Sequence, residues 1–121
     1  MATFRAGDYN TVEAAVELAP YTIVKHNADG KAVKAAAGTD LIRGVVEKGG
    51  KVRDSISYAR VNGSGTFKVR LGGTVAKDDL LTSDANGLAV KATTGNTVFG
   101  RANVAGVSGD VVEYDKLDTK A

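Results

Sequence analysis

The sequence predicts an all-β fold: a small β-barrel or sandwich built from two pseudo-repeats, with an extended N-terminal arm. The first observation behind this is a duplication. Asn27-Ala28-Asp29-Gly30-Lys31-Ala32-Val33-Lys34-Ala35 returns as Asp84-Ala85-Asn86-Gly87-Leu88-Ala89-Val90-Lys91-Ala92, 57 positions later. Ile42-Arg43-Gly44 then matches Val98-Phe99-Gly100, and Asp54-Ser55-Ile56-Ser57-Tyr58 matches Asp110-Val111-Val112-Glu113-Tyr114, both at an offset of 56. One deleted residue reconciles the two offsets. The second observation is alternation: Phe67, Val69 and Leu71 interleave with Thr66, Lys68 and Arg70, the pattern of a strand with one buried face. The third is turn chemistry. Asp29-Gly30, Gly49-Gly50, Asn62-Gly63, Gly72-Gly73 and Asn86-Gly87 separate the apolar runs, and strand candidates recur about every 8–12 residues, the spacing of small sandwiches and barrels.

Residues 1–10 stand outside the duplication. They carry two aromatics, Arg5 and a hinge-like Gly7, and read as an arm, leaving 11–121 as a single β domain. Thr11 to Ala19 has helical composition, with Asn10 or Thr11 available as a cap. At an offset of 57, however, Val12 to Ala19 falls on Val69 to Ala76, which contains Gly72-Gly73. The repeat favours extended structure there over helix, and Pro20 ends the segment in either case. The copies span about 12–58 and 69–114. Two units unable to close alone would pack about a pseudo-two-fold axis into one barrel or sandwich, and two are too few for a solenoid.

The core material is modest: 16 Val and 18 Ala against 7 Leu and 3 Ile, with 7 aromatics and no Trp. Alanine adds little burial, so such a core is thin, and association with copies of itself or a larger partner would help it. The absence of cysteine excludes a disulfide framework and a thiolate metal site, and fits synthesis in a reducing cytoplasm. Arg5, Asp8, Glu13 and Glu17 interrupt any signal-like apolar run, and no run of 18 apolar residues exists. A net charge of +2, with the basic residues scattered among acids, is not the footprint of a nucleic-acid binder.

No reactive constellation emerges. His26 is the only histidine and has no activated nucleophile nearby in sequence. It reads as solvent-facing or locally hydrogen-bonded. Gly44-Val45-Val46-Glu47-Lys48-Gly49-Gly50-Lys51-Val52 misses the phosphate-loop spacing by one, and Val52 replaces the hydroxyl that would hold magnesium. Asp84-Ala85-Asn86-Gly87 opens like a calcium loop, but its spacing is too short and the closing Glu is missing, so a hairpin turn fits better. Asp78-Asp79 reads as a solvated turn. Catalytic residues, metal ligands and cofactors are therefore expected to be none.

The short arm ending in Gly7-Asp8, the strand Ile42-Arg43-Gly44-Val45-Val46 and the segment Gly73-Thr74-Val75-Ala76-Lys77-Asp78-Asp79-Leu80-Leu81 are followed by the Asn86-Gly87 turn. Val98-Phe99-Gly100-Arg101-Ala102 and Gly109-Asp110-Val111-Val112-Glu113-Tyr114 close the pattern. In order and spacing this resembles the capsid cement (head decoration) proteins of tailed bacteriophages, over almost the full length. The resemblance implies a non-enzymatic structural virion protein on the outer capsid surface, made in the bacterial host cytoplasm. It would bind the major capsid protein, self-associate as a homotrimer (a dimer being the alternative) and cement neighbouring subunits of the expanded head. No membrane and no direct nucleic-acid contact are implied. The competing reading is a small β-barrel binding module for nucleic acid or another protein, without catalysis. The capsid contact is expected on the arm at Thr3, Phe4 and Arg5, with Phe4 as anchor and Arg5 reaching a carboxylate. The alternative for Phe4 is packing back onto its own barrel.

Overall fold

In the computed structural model, which describes residues 9–60 and 66–120, every regular element is a β-strand. The first copy supplies β1 (Tyr9–Glu13), β2 (Ile23–His26), β3 (Ala32–Lys34), β4 (Gly44–Val46) and β5 (Ser55–Arg60). The second supplies β6 (Thr66–Arg70), β7 (Leu80–Ser83), β8 (Ala89–Lys91), β9 (Thr97–Ala102) and β10 (Val111–Lys120). Each copy forms its own five-stranded antiparallel sheet, in the order β1-β5-β4-β2-β3 and then β6-β10-β9-β7-β8. The registers agree as well as the orders: Val24 lies opposite Lys34 as Leu81 lies opposite Lys91, and Val46 opposite Tyr58 as Ala102 opposite Tyr114.

The expectation of two units that close only together is corrected here. Within each copy the two sheet edges meet, through a parallel bridge from Ala14 to Ala32 and its counterpart from Leu71 to Ala89. A second pair of bridges, Leu18 to Gly50 and Val75 to Gly106, ties two loops together in each copy. Thr11 to Ala19 is not helical: β1 runs to Glu13, and Ala14 and Leu18 each enter a bridge. Tyr9 and Asn10, expected in the arm, pair with Ala59 and Tyr58 and belong to the sheet.

Local chemistry explains why the copies fold alike. Asn27 Oδ1 accepts from the backbone N–H groups of Asp29 and Lys31, both at 3.0 Å. Asp84 Oδ1 does the same for Asn86 at 2.8 Å and Leu88 at 3.0 Å. Each turn then passes through a glycine in the left-handed region, Gly30 at φ 77° and Gly87 at φ 74°. Asp40 Oδ2 accepts from Ala36 and Ala37 N–H, and Asn96 Oδ1 from Thr93 N–H, so an acid and an amide do one job at equivalent positions. Gly44 and Gly100 leave room for the rings of Tyr58 and Tyr114, which are 2% and 1% exposed.

The core forms two clusters. Val24, Val46, Ile56 and Tyr58 fill the inside of the first copy, with Ala14, Leu18 and Ala32. Ile23, Ala35, Ile42 and Val45 instead join the cluster of Val69, Leu71, Leu81, Phe99, Val112 and Tyr114 from the second copy. Strands β2 and β4 are thus buried on both faces, which is why Ile23-Val24 and Val45-Val46 are consecutive apolar pairs.

Candidate functional surface: the joint and the loop ends

Thr3, Phe4 and Arg5 lie outside the described residues. Among the sequence candidates that are described, the side chains of His26, Asp79 and Asp84 are engaged in holding the fold. His26 Nε2 is hydrogen-bonded to the Tyr58 hydroxyl at 3.2 Å, across 32 positions of sequence, and the rings meet edge to face at 5.8 Å. The bond is therefore tertiary, where sequence reading placed the side chain in solvent or in a local contact. Burial, reinforced by the nearby Arg43 charge, pushes the His26 pKa below its ordinary value. Asp79 Oδ2 accepts from Ala76 N–H at 2.8 Å, and Asp78 sits at φ 73° within the turn. The Asp84 carboxylate is occupied by its own hairpin. Gly44 to Val46 is strand, and Gly49 follows in a turn at φ 74°. No group of three His, Cys, Asp or Glu side chains is placed to hold a metal among the described residues. Burial would raise the Asp40 pKa. Hydrogen bonds from Ala36 and Ala37 N–H and the Lys25 ammonium at 3.0 Å hold it below the usual value.

Among the described residues the two copies meet in one direction only. The hairpin turn between β7 and β8 seats on the start of β2: Ile23 N–H donates to the Gly87 carbonyl at 2.8 Å. Arg70 N–H donates to Tyr21 O at 3.1 Å, and Thr97 N–H to Gly38 O at 2.7 Å. A Cβ on Gly87 would stand 2.8 Å from Thr22 Cγ2, 3.0 Å from Ile23 O and 3.1 Å from Lys34 Cβ. At the equivalent Gly30 nothing lies within 4 Å. A two-fold axis would give both turns the same surroundings, so the pseudo-two-fold expectation is corrected: the copies are joined head to tail. Beside this joint lies a cleft of about 330 Å³ lined by Glu17, Thr22, Lys34, Arg70, Asn86 and Leu88. Its charged lining is one acid, Glu17, and two bases, Lys34 and Arg70.

Exposed apolar side chains concentrate at one end of each copy. Val16 and Val52 stand on the two loops of the first copy that Leu18 and Gly50 bridge. Val104 and Val107 stand on the equivalent β9–β10 loop of the second, with Val111 beginning β10. Five of the six large exposed apolar residues among those described belong to these loop ends; Leu41 is the sixth. The loops differ in charge. Lys48, Lys51 and Arg53 in the first copy become Val104, Val107 and Gly109 in the second. Sequence reading missed this surface, because valine at a loop position carries no period-two signal. Comparing the copies position by position reveals it.

No protein-family model matches the chain, and no curated protein does. Among solved structures, the fold is similar to that of the N base of head fiber gp8.5 of bacteriophage phi29. The TM-score is 0.72 at 22% identity, over 93% of this chain and 96% of that one.

Proposed function

We propose that this chain is a structural protein of a phage virion, binding the outer surface of the head and cementing neighbouring major capsid subunits of the expanded shell. The observation that carries the reading is the fold shared with a phage head-fiber base over nearly the whole of both chains. The resemblance of the strand-and-turn order to capsid cement proteins points the same way. In this reading the chain is not an enzyme and takes no cofactor. It is made in the host cytoplasm and acts on the virion exterior, contacting neither membrane nor DNA.

The arm makes the main contact through Thr3, Phe4 and Arg5, ahead of the point where β1 enters its sheet at Tyr9. The valine-bearing loop ends supply a second, apolar contact. Self-association, as a homotrimer, completes a thin Ala/Val core. A second reading is that the chain anchors a fibre to the head, favoured by the part its structural neighbour forms.

Co-sedimentation with emptied, expanded phage heads tests the proposal. The full chain should pellet with heads, while a chain lacking residues 2–6 binds at least about tenfold more weakly, ~1.4 kcal/mol, with its melting curve unchanged. Full affinity without those residues would remove the arm from the contact. Cementing raises the temperature at which heads rupture, whereas fibre anchoring leaves it unchanged.

A further inference from the structure

The head-to-tail joint leaves half of itself unused at each end of the chain. The Gly87 turn is seated on Thr22, Ile23 and Lys34, but the matching Gly30 turn of the first copy is open. The matching receiving surface of the second copy consists of Asp79, Leu80 and Lys91, 57 positions on. It is less covered than its counterpart: the Lys91 side chain is 67% exposed and Leu80 is half-buried, although the Asp79 side chain is only 18% exposed.

Each of these two open halves carries one acid and one base, Asp29 with Lys31 and Asp79 with Lys91. Within the chain, the cleft at the joint is lined by Asn86 and Leu88 from the turn, and by Lys34 and Thr22 from the receiving side. Brought together in the same geometry, the open halves would gather Asp29 and Lys31 of one chain beside Asp79 and Lys91 of the other. A turn without charge against a single lysine thus becomes an acid and a base on each side. Val45, buried at the joint, becomes exposed Arg101, which keeps the open face soluble in the single molecule. At present Lys31 pairs with Glu13 at 3.0 Å and Lys91 approaches Asp79 at 4.0 Å. The exposed Lys31–Glu13 pair exchanges partners at little cost, while the Asp79 carboxylate also accepts from Ala76 N–H at 2.8 Å.

We propose that the joint between the copies is reused between molecules, the Gly30 turn of one chain docking on the Asp79-Leu80-Lys91 surface of a second copy. Such a contact is heterologous, so it closes into a ring if the rotation permits and otherwise extends as a chain. It supplies the interface for the self-association proposed above and rests on that part of the reading. Being built on charge pairs, it is reversible and salt-sensitive.

Sedimentation velocity of the full chain over a concentration series, at low salt and at about 0.5 M salt, tests it. The chain should associate at low salt and dissociate at high salt. Lys91→Asp or Asp29→Lys alone should weaken association by about tenfold, and the double exchange Asp29→Lys/Lys91→Asp should restore most of it. Gly30→Asn keeps the turn, since Asn tolerates the left-handed conformation, but places a side chain where Gly87 has no room. It should abolish association while the circular dichroism stays unchanged. Oligomers insensitive to all these changes would overturn the joint and leave self-association standing. A monomer under every condition would overturn both.

Discussion

Gly30 and Gly87 occupy the same place in two equivalent hairpins and share one backbone conformation, at φ 77° and 74°. They differ in what surrounds them, so alanine at each position separates turn strain from joint contact. Placing a Cβ in the left-handed region costs about 1–2 kcal/mol at either site. At Gly30 that is the whole effect, because nothing lies within 4 Å. At Gly87 the Cβ would also meet Thr22 Cγ2 at 2.8 Å and the Ile23 carbonyl at 3.0 Å, and overpacking of this kind adds about 1–3 kcal/mol. With an unfolding entropy of roughly 2.1 cal/mol/K per residue, 121 residues give about 0.25 kcal/mol/K, so each kcal/mol lowers Tm by about 4 °C. Gly30→Ala should therefore melt about 4–8 °C below the parent, and Gly87→Ala about 8–20 °C below. Calorimetry on the two variants, measured dilute in high salt, makes the comparison. Equal shifts would refute the one-way joint, because they would mean that both turns have the same neighbours.

Gly44→Ala and Gly100→Ala should both destabilise, since a Cβ at Gly44 meets the Ala59 carbonyl and Tyr58 Cδ1, and at Gly100 the Tyr114 ring and Asp115 O. A loss of about 2–3 kcal/mol in urea unfolding is expected for each, and a neutral result at either would contradict the tyrosine packing. His26 gives a pH signature. Its folded pKa lies below the ordinary 6.5, so the unfolded chain takes up the proton first. Its contribution is complete above about pH 6.5 and fades as pH falls through the folded value, so stability drops on acidification. His26→Gln should flatten the melting temperature between about pH 7 and pH 5, while an unchanged slope would assign the effect to other groups.

The strands, the equivalence of the copies and the turns were legible in the sequence, because alternation and Asx-Gly signals are local; the Asn62-Gly63 turn lies outside the described residues. Asn27 and Asp84 do the same work in the folded hairpins that their spacing to Gly30 and Gly87 implies. The operator relating the copies was not legible in the repeat itself. A duplication states that two units are alike, whereas their arrangement is decided where they differ. Leu88 against Lys31 and Val45 against Arg101 carry that decision, because an apolar side chain fits a joint and a charged one faces water. The closure of each sheet on itself was hidden for a related reason. It rests on single bridges at Ala14 and Leu71, just past the last alternating residue of β1 and β6. The His26–Tyr58 bond joins residues 32 apart and has no local signature. The exposed valines of the β9–β10 loop became interpretable only beside the lysines of its counterpart.

The central claim is that this chain clothes the outside of a phage head. Imaging emptied, expanded heads by electron cryomicroscopy after incubation with saturating protein tests it most directly. The account predicts ordered density on the outer surface at repeated positions bridging neighbouring capsid subunits, with the arm as the first point of contact. Bare heads at saturating protein would contradict it.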